Sequence, residues 1–172
     1  MDDITVASGV TFPDTSDGRT FVASAVIMDP VGRVFTQRRS STRKVFPNCW
    51  DVVGGHVEAG ETMLEGLARE VQEETGWRLL TVWTEVLALD WDPGDGVVRH
   101  EVNYLVQVEG DLSAPRLEEG KHTEFLWVDD SLVDRLRDER EPDDYFITDV
   151  VRRGLAAARA LLGSADLGHG QR

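Results

Sequence analysis

Glu70, Glu73 and Glu74 lie three and four residues apart in the stretch Ala68-Arg69-Glu70-Val71-Gln72-Glu73-Glu74-Thr75-Gly76. On an α-helix this spacing puts all three side chains on one patch. Three carboxylates held that close repel one another and call for a compensating charge. A hard divalent cation such as Mg²⁺ answers it, since it takes oxygen ligands. Glu70 and Glu74 are the leading ligands, with Glu73 beside them. Gly54-Gly55, just ahead, lets main-chain carbonyls approach an ion, so Gly55 joins the metal set.

The helix that carries the glutamates is legible. Leu64, Leu67, Ala68 and Val71 repeat at helical period and form a buried stripe, which the glutamates flank. Thr62 and Glu65 have capping-box spacing, and Gly76 suits a left-handed C-cap. Arg69, next to Glu70, is a fixed cation beside an anionic cluster. Its expected role is to hold the glutamates in place.

Gly55, Glu61, Arg69, Glu70, Val71, Glu73, Glu74 and Gly76 fill the pattern G-x5-E-x7-R-E-U-x-E-E-x-G-U without a gap, U being a bulky apolar residue. The chain thereby resembles the Nudix hydrolase family, of the MutT-like kind. Trp77 stands at the last position, where the family more often has an aliphatic residue. Phe46-Pro47-Asn48-Cys49-Trp50-Asp51 leading into Val52-Val53-Gly54-Gly55 is similar to the family's lead into its box. The resemblance implies an α/β/α sandwich with a central mixed sheet, an α+β fold whose box is loop-helix-loop. It implies hydrolysis of the pyrophosphate of a nucleoside diphosphate linked to another group, a nucleoside triphosphate or an ADP-ribose or nucleotide-sugar type. A nucleoside monophosphate would be released, Mg²⁺ would be the cofactor with Mn²⁺ as a substitute, and the protein would be a homodimer. Glu61 is expected to orient Arg69. Glu74 is the first choice for general base, with Glu118, Glu119 and Glu124 as candidates outside the box; of these, Glu124 most resembles a family pattern near the last strand. Pro93 has the spacing past the box found in ADP-ribose-hydrolysing members, but Asp92-Pro93-Gly94-Asp95-Gly96 is also an ordinary turn. Two other readings share the fold: an isopentenyl-diphosphate-isomerase relative and a non-catalytic nucleotide sensor. Isomerases place a reactive cysteine immediately before a Gly-His pair, and Cys49 lies too early for that.

The rest of the sequence bounds the partner. Acidic residues outnumber basic ones by 32 to 18, a net charge of −14 over 172 residues. Such a surface repels nucleic-acid polymers and anionic membranes, so a phosphorylated substrate must be small. Arg38, Arg39, Arg43 and Lys44 form the one dense basic segment and are candidates to receive phosphates. Trp50, Trp91, Tyr104 and Trp127 are either core or base-stacking residues. His56 and His100 fall near the site but are not needed as ligands. With Cys49 the single cysteine, no internal disulfide is possible. Met1-Asp2-Asp3-Ile4 lacks the regions of a signal peptide, and a cytoplasmic protein is expected.

Strands are expected at 20–28, 33–38, 50–53, 77–91, 100–109 and 125–128, with Val102, Tyr104, Val106 and Val108 on one face. Helices are expected at 62–76, 132–136 and 145–162. Residues 1–18 read as a loosely packed lead-in, 19–163 as one domain, and 164–172 as a flexible tail.

Overall fold

The computed structural model describes residues 4–168. The strands are β1 (Thr5–Val6), β2 (Thr20–Ile27), β3 (Val34–Arg39), β4 (Trp50–Asp51), β5 (Val53–His56), β6 (Arg78–Trp91), β7 (Arg99–Glu109) and β8 (His122–Val128). Helix α1 (Met63–Thr75) falls between β5 and β6, a 3₁₀ turn covers Val133–Arg137, and α2 (Phe146–Gly168) closes the order.

Five strands form a mixed sheet in the order β1-β6-β7-β2-β5. β1 runs parallel to β6 and β2 parallel to β7, while β6–β7 and β2–β5 are antiparallel. A smaller antiparallel sheet has the order β4-β3-β8. Alternation along the strands supplies each face of the large sheet with a helix. Ala23, Ala25, Ile27, Val102, Tyr104 and Val106 face α1 through Met63, Leu67 and Val71. Val26 and Leu105 face the other way, toward Val150, Val151 and Leu155 of α2. The expected α/β/α sandwich is the fold observed, and Val102, Tyr104, Val106 and Val108 do share one face.

Several expectations need correction. The lead-in is not loose: β1 extends the large sheet, and Ile4, Val10 and Phe12 pack on the α1 side of the core. The Phe12 ring lies 5.2 Å from that of Tyr104. Its alternation is too short to announce a strand, and its few apolar residues gain a partner only once β6 is in place. The segment 50–53 is not one strand. It passes from the small sheet to the large one at Val52, whose N–H is taken by the Asp51 side chain at 2.9 Å. The last strand begins at His122, so Glu124 lies inside it. Helix α2 continues to Gly168 through the start of the expected tail, and residues 169–172 lie outside the described residues.

Trp77, the departure from the family pattern, is buried. It meets Phe35 edge-on at 4.9 Å, gives its indole N–H to the Asp111 carbonyl at 3.0 Å, and lies over Gly110, whose missing side chain leaves it room. Among the described residues no helix is long and apolar enough to cross a membrane.

Candidate active site

Helix α1 is fixed at both ends before it presents any chemistry. Thr62 and Glu65 form the full capping box, and Gly76 closes the helix at φ 73° with its N–H on the Gln72 carbonyl. Met63, Leu67 and Val71 seat the helix on the sheet. Glu70 and Glu74 are thereby turned inward, at 8% and 5% exposure, against strand β5. The fit depends on Gly55, because a Cβ there would overlap the Glu70 carboxyl.

Glu74 Oε2 accepts the Gly54 N–H at 3.0 Å and the Gln37 side-chain amide at 2.6 Å. Burial nevertheless pushes its carboxyl up to about 8, with Glu70 adding to the shift. Burial raises Glu70 as well, against the pull of Arg69. His122 Nε2 lies 3.7 Å from Glu74 Oε1, but burial, then Arg39 and Arg43, push the ring down to about 4. The ring is therefore neutral near pH 7, and the contact is not an ion pair.

Arg69 organises the cluster. It donates to Glu61 at 2.8 and 3.1 Å, to Glu70 at 2.7 Å, to Glu73 at 3.2 Å and to the His56 carbonyl at 2.9 Å. Glu61, held low chiefly by Arg69, also takes the Glu58 N–H at 2.9 Å. Thr15 in turn donates to the Glu61 carbonyl at 2.7 Å, which ties the N-terminal segment to the box loop.

Among the described residues no three His, Cys, Asp or Glu side chains close into a finished metal cage. The donors are still of the right kind. Glu70, Glu73 and Glu74 offer only hard oxygens, and two of them are buried with raised pKa values. A divalent cation would relieve both conditions.

On the other side of β5 lies a cleft of about 390 Å³. Ser24, Gly54 and Glu101 belong to its sheet side, and Arg39, Arg43 and Asp51 to a neighbouring wall. Trp91 and Phe46 meet across it with ring centroids 6.1 Å apart. Phe46 (φ 49°) and Asn48 (φ 62°) hold left-handed backbone, and that turn presents the Phe46 ring. Arg43 has no carboxylate partner among the described residues, while Arg39 reaches Asp51 at 3.4 Å.

The sequence-derived site thus divides. Glu61, Arg69, Glu70, Glu73, Glu74 and Gly55 come together, and Arg39 and Arg43 line the adjoining cleft. Glu124 does not join them. It pairs with Arg38 at 2.8 Å on the opposite face of the small sheet from Gln37, the residue that touches Glu74. Arg38 is committed to that pair and to the Asn48 carbonyl, and Lys44 is exposed and does not line the cleft. Trp50 and Tyr104 are core, Trp127 packs on Phe35, and Trp91 lines the cleft. His56 borders the cleft, whereas His100 bonds Asp90 at 2.7 Å. Cys49 is buried, its thiol giving a hydrogen bond to the Glu139 carbonyl at 3.3 Å. Sequence reasoning missed Gln37, His122 and Glu101, and also Arg99 and Arg140, which line the cleft with their guanidinium groups 5.4 Å from the Trp91 and Phe46 rings. Of these, Glu101 carried the clearest signal, as a carboxylate directly before the alternating run Val102-Tyr104-Val106-Val108.

The family model described as the NUDIX domain matches residues 18–150. The chain belongs to the Nudix family. This Nudix chain is 46% identical over 72 residues to the m7GpppN-mRNA hydrolase NUDT17 of Xenopus laevis, covering 41% of the chain and 24% of that protein. It is 40% identical over 99 residues to an uncharacterized Nudix hydrolase of Streptomyces coelicolor, covering 57% of the chain and 54% of that protein. Between 24% and 54% of the length of these relatives is thus spanned. Among solved structures, the MutT protein of Methanosarcina mazei Go1 superposes with a TM-score of 0.61 at 22% identity, over 81% of this chain and 94% of that one. A NUDIX hydrolase from Nitrosomonas europaea does so with 0.64 at 18%, over 81% and 90%. At these identities the likeness is one of fold.

Proposed function

We propose that this protein hydrolyses the pyrophosphate linkage of a small nucleoside diphosphate derivative with the help of Mg²⁺. The observation that carries the reading is the seating of Glu70 and Glu74 on Gly54-Gly55, with Arg69 holding the cluster and a cleft directly across the strand. Glu70, Glu73 and Glu74 would hold the metal, with the Gly55 carbonyl in reach of it. When bound, Mg²⁺ supplies charge neutralisation and a more acidic water for attack at phosphorus.

The chain's own residues do the rest. Arg69 keeps Glu70 and Glu73 from splaying apart. Arg43, without a carboxylate partner among the described residues, and Arg39 receive phosphate oxygens. Glu74 remains the first choice to take the proton of the attacking water. Among the candidates outside the box, Glu118 is preferred to Glu124. It pairs with Lys121 at 2.7 Å, Lys121 acts on Glu70, and Glu118 Oε2 is buried without a partner. The net charge of −14 favours a small substrate over a nucleic-acid polymer. A cytoplasmic, homodimeric protein remains part of this reading.

The test is a Mg²⁺-dependent turnover panel with products identified by mass. It covers ordinary and oxidised nucleoside triphosphates, ADP-ribose, nucleotide sugars, dinucleoside polyphosphates and a capped dinucleotide. Glu74→Gln serves as the control. Turnover lost in the variant supports the hydrolase. Absence of turnover across the panel overturns it and moves weight to a nucleotide sensor.

A further inference from the structure

The cleft beyond β5 carries a feature that pyrophosphate chemistry does not use. Glu101, in β7, is 6% exposed at the border of the cleft. Its Oε1 accepts the Ser24 hydroxyl at 2.8 Å, and its Oε2 accepts the Trp91 indole N–H at 2.7 Å. These donors and Asn103, which also bonds the carboxyl, are neutral, and no cation pairs with it among the described residues. Burial, with Asp51 nearby, lifts the carboxyl to about 7. An isolated buried carboxyl is expensive to keep, and an apolar or amide side chain would serve the sheet better. Such a group in a cleft marks a site.

The surroundings say what the group is for. A carboxylate has about four lone-pair positions; Ser24 and Trp91 use one on each oxygen, and Asn103 also bonds the group. The remaining capacity can serve a ligand in the cleft. Asp51 adds a second carboxylate to the lining, paired with Arg39, while Arg99 and Arg140 also line the cleft. Polyphosphate belongs at the wall of Arg39 and Arg43 and, through metal, at the glutamates across β5. Trp91 and Phe46, each with a guanidinium 5.4 Å from its ring (Arg99 and Arg140), supply aromatic surface that a flat ring can lie against. The complement of aromatic surface beside a carboxylate with open acceptor capacity is a planar heterocycle with N–H donors along one edge.

We propose that the cleft selects the base of the substrate, and that Glu101 is a specificity-determining residue accepting two adjacent N–H donors, the ring N–H and exocyclic amino group of a guanine-type edge. The inference rests on the nucleotide reading above. Adenine and cytosine set a ring lone pair beside their amino group, which a carboxylate repels. Uracil offers one N–H between two carbonyls. Hypoxanthine keeps the ring N–H and lacks the amino group.

The experiment measures kcat/KM for GTP, ITP, ATP, CTP and UTP with Mg²⁺ at pH 8, where Glu101 is ionised, for the parent and Glu101→Gln. Binding of GMP, IMP and AMP to both proteins is followed by tryptophan fluorescence. The parent should favour GTP over ITP by about tenfold, the worth of one hydrogen bond to a charged acceptor, and over the other three by more. Glu101→Gln should lose about tenfold on GTP and change little on UTP. Mg²⁺-dependent turnover without guanine preference, or preference retained in the variant, overturns the inference and leaves the hydrolase standing. No turnover of any of the five leaves the hydrolase to the wider panel above, and binding then decides: GMP held over AMP in the parent and not in the variant supports the role of Glu101, while equal or absent binding ends it. The GTP-to-ITP comparison needs no variant, so it stands even if Glu101→Gln fails to fold.

Discussion

At the scale of single residues, the site is built from groups kept in uncomfortable states. Glu74 holds its proton to about pH 8 because burial outweighs the Gly54 and Gln37 hydrogen bonds. Replacing it with Gln removes the titratable carboxyl and keeps the shape. The expected result is a loss of at least about a hundredfold in turnover, with the metal-free melting temperature unchanged or higher. A variant as active as the parent would remove Glu74 from the chemistry. Glu101 gives a pH signature. Its folded pKa, about 7, lies above the unfolded value of 4.5. The neutral carboxyl therefore contributes stability below pH 4.5 that is lost as pH rises through 7, a change on the order of a few kcal/mol. Glu101→Gln lacks this slope. Denaturant titrations at pH 5 and pH 8 should show the variant gaining on the parent at the higher pH, and an equal gap at both would contradict the assignment.

At the scale of elements, the N-terminal segment is the addition to watch. The family model begins at residue 18, yet Thr15 braces the carbonyl of Glu61, the residue that grips Arg69. Thr15→Val removes about 1 kcal/mol of hydrogen bonding, expected as a melting decrease of about 2–4 °C for a domain of this size. Faster amide exchange in residues 57–62 should accompany it, and Thr15→Ser should restore both. Unchanged exchange in the Val variant would make the contact incidental. Helix α1 was readable from sequence because its caps and its apolar stripe are local, and the box residues share its period. The lead-in, the split of 50–53 between two sheets and the turning away of Glu124 were not. Each depends on which strand becomes the neighbour, and neither propensity nor spacing encodes that. Glu124 misled because a strand gives alternate residues to opposite faces, so starting β8 at His122 decides which side it serves.

At the scale of the whole molecule, metal and stability are linked. Glu74 sits above its unfolded pKa of 4.5, so its neutral form stabilises the metal-free protein below that pH, and the contribution fades as pH rises through about 8. Mg²⁺ binds the ionised form and should raise the melting temperature more at pH 8 than at pH 6. Calorimetry in millimolar Mg²⁺ checks this, and a shift independent of pH would argue against a glutamate site. Strand β5 then has a meaning beyond support. It is a partition one backbone thick, with the glutamates against one surface and the cleft against the other. A ring that seats badly in one room leans on the wall of the other. Errors of recognition would be felt as misalignment where the bond breaks, so discrimination should appear in the speed of turnover as well as in how tightly a ligand is held.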